Sequence, residues 1–450
     1  MKLLHKAFYA SVILLMLDSC KKDEKLDVEQ PVGLGGEVTA STAIDKWVLD
    51  SLTKPYNIAV KYRWDPWEYN LDKTLTPPDE SKIVPALSAI KRVWIDPYNA
   101  ETGSDLFIKK YSPKQFVMVG SVEYNYNGTV VLGQAEGGNN IAFFDVNQNF
   151  DKNNVESIKR MIQTSHHEFA HILHQTVMYP QDFKFITSNL GLPGYTATWF
   201  NISPAQALQW GYITPYSMAS YDEDFVEMIA NMLMEGKTRF DEIIASTNPT
   251  AQAALRAKEQ IVVEYYRQVW NIDFYSLQRR VQAAINALVP PATVAESYGF
   301  GKTYTRASVN PANQTMLPQP AAFMNIYNTA KNNVAALPNF GLTMDSMAVI
   351  TNSATTAIVR IYVRQNNTTF FADYNYTLTK GAGDVYSFTY LSANGNGELI
   401  KSAVDPLLNY FSGNQFTITW FADPSVSTNP RVKFTPQASP GTYFIARLLP

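Results

Sequence analysis

The stretch His166-His167-Glu168-Phe169-Ala170-His171-Ile172-Leu173-His174-Gln175 gathers four of the five histidines in a chain of 450 residues. Its surroundings, from about Val155 to Met178, carry apolar residues at helical spacing, with Phe169, Ile172 and Leu173 placed to pack against a sheet. On such a helix His167 and His171 are four positions apart, an offset of about 40° one turn up, so both rings face the same way. Two imidazole nitrogens can then meet one ion at about 2.0–2.1 Å. Glu168, on the adjoining flank, can reach a water held by that ion without being a ligand. This is the HExxH arrangement, in which two neutral nitrogens hold Zn2+ and a carboxylate takes a proton from the activated water.

A zinc site of this type needs a third protein ligand. Apart from His5 no histidine lies outside the segment. His174 shares the helix, and three ligands on one unbroken helix would spread over about 10 Å of its axis, too far to converge on a tetrahedral ion. A carboxylate from elsewhere is expected, and "SYDEDFVEMIANML" (220–233) is its natural source. Glu223 and Glu227 share a helix face there, while Phe225, Met228 and Ile229 supply a packing face.

The pattern resembles the gluzincins. That resemblance implies Glu223 as the third metal ligand and Glu227, one turn later, as the residue that orients a ligand histidine; Asp224, or Glu227 itself as the ligand, remain alternatives. Similarity to lethal-factor-like gluzincins implies a tyrosine donating to the oxyanion, with Tyr216, seven residues before Glu223, as the candidate and Tyr221 as its competitor.

Around this centre the chain is an ordinary globular sequence, 46% hydrophobic and 17% charged, with a net charge of −3. Lys and Arg are scattered, which argues against nucleic-acid binding. The expected fold class is α+β. "TAIDKWVLDSL" (42–52) and "SKIVPALSAIKRVWI" (81–95) read as helices, "NIAVKYRW" (57–64) as a strand, and residues 115–146 as several strands. Asn127-Gly128 signals a hairpin, and Gly133, Gly137 and Gly138 signal a second turn or bulge. "YDEDFVEMIANMLMEG" (221–236) and the long stretch from Ala251 to Leu288 read as helices. Prolines at 290–291 and 311–320 punctuate a boundary near residue 300. Beyond it, alternating aromatic and β-branched runs predict a mostly β domain with one helical insert near Asp405–Tyr410. The expected division is residues 1–19 as a signal peptide, 20–40 as a flexible tether, 41–299 as a zincin-like metallohydrolase domain and 300–450 as a β domain without an assigned role.

The first residues set an expectation of location. Lys2 and Lys6 precede an apolar run from Ala7 to Leu17 that is too short to span a bilayer. Leu17-Asp18-Ser19-Cys20 resembles a lipobox, and Cys20 is the chain's only cysteine, so acylation of Cys20 and membrane attachment are expected. "KKDEK" (21–25) resembles the surface-export signal of Bacteroidetes lipoproteins, which implies an outer-membrane lipoprotein exposed at the cell surface.

"PYNIAVKYRWD" (55–65), "YNYNGTVVLGQAEGG" (124–138), "HHEFAHILHQ" (166–175) and "EDFVEMIA" (223–230), in this order, resemble the import-associated zinc metallohydrolase lipoproteins of Bacteroidetes. The resemblance covers about residues 41–290. It implies a zincin-like domain, one zinc, and a setting beside SusC/SusD-type nutrient-uptake complexes. The expected activity is that of a surface-anchored zinc metallopeptidase acting on peptide or protein substrates, with "VLGQAEGG" (131–138) as a sheet edge along which an extended peptide lies. The competing expectation is a zinc-containing accessory lipoprotein that captures a ligand for a transporter with little or no catalysis. An intact Glu168 favours the enzyme, since a structural zinc needs no general base.

Overall fold

The HExxH segment lies near the end of a helix of 22 residues, Val155–Thr176 (α2), in a computed structural model that describes residues 41–65, 72–126, 128–131, 133–136, 140–314, 317–338, 340–421 and 429–450. Asn154 starts this helix: its side-chain oxygen accepts from the backbone N–H groups of Glu156 and Ser157, satisfying donors that no helix can satisfy internally. Phe169 is fully buried, edge-on to Trp94 at 5.2 Å and to Tyr98 at 5.2 Å. This aromatic cluster fixes the roll of α2 about its axis, and hence the direction in which His167 and His171 point.

Trp94 and Tyr98 belong to a helical run that begins with Glu80–Ile90 (α1) and continues through Lys91–Ile95 and Asp96–Thr102. The sheet beside it has four strands: β1 (Ala59–Lys61), β2 (Gln115–Met118), β5 (Gly133–Glu136) and β6 (Asn140–Phe143), in the order β1-β2-β6-β5. The first three in that order are parallel, and β5 runs antiparallel at the edge. A short ribbon, β3 (Glu123–Tyr124) with β4 (Val130–Val131), precedes β5; Gly128, at φ 83°, occupies its turn, while Asn127 lies outside the described residues. Gly133 sits within β5 and marks no turn; Gly137 and Gly138 lie outside the described residues. α2 packs against β5 and β6, which brings the histidines beside the sheet edge.

Three helices complete this half: Tyr221–Ala245 (α3), Pro249–Trp270 (α4) and Phe274–Leu288 (α5). The stretch expected as one helix from Ala251 to Leu288 is thus two, separated at Asn271, which takes the left-handed conformation at φ 54°. Asn tolerates that conformation as a helix end, and Asp273 caps the next helix by accepting from Ser276 N–H. α3 is itself broken at Gly236, whose φ 70° and ψ 167° are open only to glycine. The break frees carbonyls that α5 covers: the Gln282 side-chain amide donates to the carbonyls of Leu233 and Met234, and that of Gln278 to Met232.

After residue 300 the chain closes into an eight-stranded antiparallel barrel of β7 (Arg306–Val309), β8 (Leu342–Thr351), β9 (Thr356–Gln365), β10 (Thr368–Lys380), β11 (Val385–Ala393), β12 (Gln415–Trp420), β13 (Arg431–Pro436) and β14 (Phe444–Leu449). The ring closes through β14–β7 and β9–β10 pairing, so among the described residues this barrel leaves no open sheet edge to recruit another chain. The helical insert is longer than the sequence indicated, Gly395–Ser412 (α7), and a second helix, Ala321–Ala335 (α6), follows the proline-bearing stretch without having been expected. α6 pairs with α7, and Phe323, Tyr327, Leu407 and Phe411 join the barrel's Phe388, Phe416 and Phe444 in one core. Lys46–Pro450 form one compact unit. A buried ion pair, Arg431 of β13 with Glu242 of α3 at 2.8 Å, ties barrel to helices within it.

Candidate metal centre and active site

Ser220 caps α3, its hydroxyl accepting from Glu223 N–H. Ser-x-x-Glu is the capping-box spacing, in which the glutamate ordinarily reaches back to the cap. Here the Glu223 carboxylate turns towards α2 instead. Its Oε2 lies 3.1 Å from His167 Nε2 and 3.4 Å from His171 Nε2. One ligand atom from each of the three residues falls within 4.8 Å of the others.

With His167 and His171 in the neutral form that binds a metal, these atoms face one another as acceptors. His167 Nδ1 lies 2.8 Å from Glu227 Oε1 and donates to that carboxylate, so in the neutral ring Nε2 presents a lone pair. It faces Glu223 Oε2, a buried oxygen without a hydrogen bond. Burial works against charge on His167, yet the carboxylates at its two nitrogens push its proton affinity up to about 10. Burial likewise opposes the Glu223 anion, but the two imidazoles hold its pKa well below the usual carboxylate range. The cluster is thus built for positive charge, and a metal ion held by His167, His171 and Glu223 would take the place of the proton between His167 and Glu223. Ligands around a tetrahedral zinc stand about 3.3 Å apart, which the observed 3.1 and 3.4 Å separations match. The donor set, two imidazoles and one carboxylate with both rings backed by further groups, suits zinc.

Those backing groups differ. Glu227, one turn along α3 from Glu223, is held on its second oxygen by the Thr214 hydroxyl at 2.7 Å, so it is fixed before it fixes His167. His171 Nδ1 lies 3.0 Å from Nε2 of His174. Elimination as a ligand had set His174 aside, but its position three residues after His171 is the spacing at which helical side chains meet, and that was the available signal. Burial lowers the His174 pKa to about 4, which keeps the ring neutral and able to accept from His171.

Asp224, the alternative ligand, points elsewhere: it is wholly buried and paired with Lys258 of α4 at 2.6 Å, and accepts from Tyr195 at 3.0 Å. Lys258 also donates to Gly211 carbonyl at 2.7 Å and lies over the Tyr212 ring. Burial drives both partners towards neutrality, the acid's pKa upwards and the amine's downwards, while their mutual attraction opposes it. This pair anchors the first turn of α3.

Tyr216 stacks on His167 with ring centroids 5.9 Å apart and packs edge-on against Trp199 at 4.9 Å. Tyr221, its competitor, lies under Lys184 at 4.2 Å and beside Tyr195. His167, Glu168, Tyr216 and Trp199, together with Thr129, Val130 and Val131, line a cleft of about 330 Å³. Tyr221 is not among its lining residues. Burial and the nearby Glu223 and Glu168 charges raise the Tyr216 pKa well above the usual phenol value, so it keeps its proton and can donate. Glu168, which also lines the cleft, is buried.

The family described as "Putative zinc-binding metallo-peptidase" matches residues 37–275, which hold the whole cluster. The chain belongs to this zinc-binding metallo-peptidase family. Zinc is accordingly the metal that His167, His171 and Glu223 fit. Among curated proteins no relative matches. Among solved structures, the "putative zinc-binding metallo-peptidase from Bacteroides caccae ATCC 43185", at 2.10 Å resolution, is 28% identical over 56% of this chain and 95% of its own, with a TM-score of 0.47.

Proposed function

We propose that this metallopeptidase is a gluzincin-type HExxH enzyme in which His167, His171 and Glu223 hold one zinc, Glu168 is the general base and Tyr216 the oxyanion donor. The observation that carries the reading is the convergence of His167 Nε2, His171 Nε2 and an unbonded Glu223 oxygen beside an open cleft. Zinc bound there supplies Lewis acidity towards water and the scissile carbonyl. The Glu168 carboxylate takes the proton of the attacking water and delivers it to the leaving amine. Tyr216 O–H donates to the carbonyl oxygen as negative charge develops on it. Glu227 holds His167 in the tautomer whose Nε2 faces the cluster, with Thr214 keeping Glu227 in place.

The substrate is an extended peptide. β5 is bonded on one side to β6 and, among the described residues, has no strand on the other, so its backbone can pair with a substrate chain. Incubation with a peptide library, with and without a chelator, tests this: cleavage that stops with chelator and returns with zinc is expected. A zinc-loaded protein that binds peptides and cleaves none would overturn it in favour of a capture subunit.

The sequence "LDSC" (17–20) followed by "KKDEK" supports a lipoprotein anchored through Cys20 at the outer cell surface, beside a nutrient-import complex of SusC/SusD type. Cys20→Ala is expected to release the protein from the membrane fraction. Replacing "KKDEK" with uncharged residues is expected to keep it membrane-bound but protected from external protease; exposure that survives the change would refute the export reading.

A further inference from the structure

The barrel, outside the span of the family match, contains a cavity of about 290 Å³ at the end where β8 finishes and β10 turns into β11. An eight-stranded barrel has an interior just wide enough to be filled by side chains or to hold one small ligand. Here the two cases occur in one barrel. α6 and α7 contribute to the core, but no residue of either helix lines the cavity. Val349, Phe388, Ile418 and Phe434, each buried, form its apolar wall. Its volume is near the lower bound of about 300 Å³ for pockets that take small molecules.

The mouth has a different chemistry. The segment Gly299-Phe300-Gly301-Lys302 crosses it, and both glycines have positive φ, 142° and 72°. Those backbone conformations place a bulky aromatic in the open: Phe300 is 58% exposed although it lines an apolar cavity. Lys380, also at the mouth, is paired with Asp384 at 2.6 Å, whereas among the described residues Lys302 has no carboxylate within 4 Å, and its charge acts on Glu296 only at longer range. The Glu296 carboxylate, which feels the Lys302 charge, is held in the capping box of Thr293. An apolar chamber, an exposed ring at its entrance and, beside it, an ammonium without a contacting carboxylate among the described residues complement a molecule with an apolar body and one anionic head.

We propose that this barrel end binds a small amphiphilic anion, such as a medium-chain carboxylate, with its apolar part against Phe388 and Phe434 and its head at Lys302. The test uses the full chain with 8-anilinonaphthalene sulfonate, itself an apolar anion, as the fluorescent probe. Saturable binding at one site per chain is expected, with displacement by decanoate and much weaker displacement by decyltrimethylammonium. Ala354→Trp, at an exposed mouth position, should abolish the site without touching the core, and circular dichroism checks the fold. Lys302→Glu should weaken decanoate several-fold and leave decanol unchanged. Absence of saturable binding, or binding that survives Ala354→Trp, would overturn the site; equal effects of Lys302→Glu on decanoate and decanol would overturn the anionic head. None of these readouts involves the metal, so the peptidase reading stands or falls separately.

Discussion

The two halves of the chain bury different chemistry. Between residues 160 and 260 the interior holds His166, His167, Glu168, His174, Asp224, Glu227, Glu242, Lys258 and Glu259, all less than a tenth exposed. The barrel buries tyrosine and phenylalanine, and the polar residues buried among its described strands are Thr351 and Arg431, the latter paired with Glu242 of the other half. Buried charge costs several kcal/mol per ion unless it is matched. A fold accepts that cost where the charges have work to do. The barrel, relieved of it, is organised by shape.

The sharpest way to break this contrast is a pair of reciprocal substitutions. Glu168→Gln should lower peptide turnover by about 10²–10⁴-fold, the usual contribution of a general base, while zinc content and thermal midpoint stay unchanged. Phe444→Ala, which removes a buried ring stacked on Phe434 at 4.5 Å, should cost about 3–5 kcal/mol in denaturant unfolding and leave zinc affinity of the folded protein unaltered. Turnover retained in the first variant, or zinc lost from folded protein in the second, would collapse the distinction.

Not every buried charge in the first half serves the reaction, and Lys258→Met separates the two kinds. It strands Asp224 in a wholly buried place, at a cost of about 3–5 kcal/mol. Unfolding curves give that cost, and metal content of the folded fraction should be normal. A variant that is fully stable but loses zinc would show that the pair belongs to the site.

A finer division lies within one helix. Glu223→Gln should emerge from mild chelation nearly metal-free, because a ligand is lost, whereas Glu227→Gln should bind zinc about 10–100-fold more weakly. Metal analysis after matched dialysis reads the difference, and the reverse order would place the site one turn further along α3. The smallest effect expected is that of Gly236→Ala: the non-helical φ and a Cβ set 3.1 Å from the Gln282 side chain should cost about 1–3 kcal/mol, with catalysis by the folded protein intact.

The helix bearing His167 and His171 was legible because its chemistry and its apolar period coincide. The scarcity of histidine pointed only to a carboxylate from elsewhere; the choice of Glu223 over Asp224 and Glu227 came from the resemblance to gluzincins. The roles of Asp224 and His174 were not legible, because each depends on what lies opposite. Asp224 differs from Glu223 by one position and meets Lys258, some thirty residues on, only through the packing of α3 against α4. In the second half the alternating aromatic runs announced strands, but their closure into a ring rests on β14 reaching β7, a pairing of distant segments that local pattern does not encode. α6 was hidden by the prolines before it, which read as the end of structure although Pro320 stands just ahead of the helix.

Gly236 divides α3 into a stretch that carries Glu223 and Glu227 and a stretch that carries Glu242, whose carboxylate grips Arg431 of the barrel. An unbroken helix would be a lever: any tug on the barrel would travel along it to Glu223, whose carboxylate is aligned with His167 and His171. A joint at residue 236, with its freed carbonyls held by side chains of α5, turns the lever into two links. Load entering through Arg431 can bend the chain there, and the metal centre keeps its alignment much as a coupling isolates an instrument from its mount.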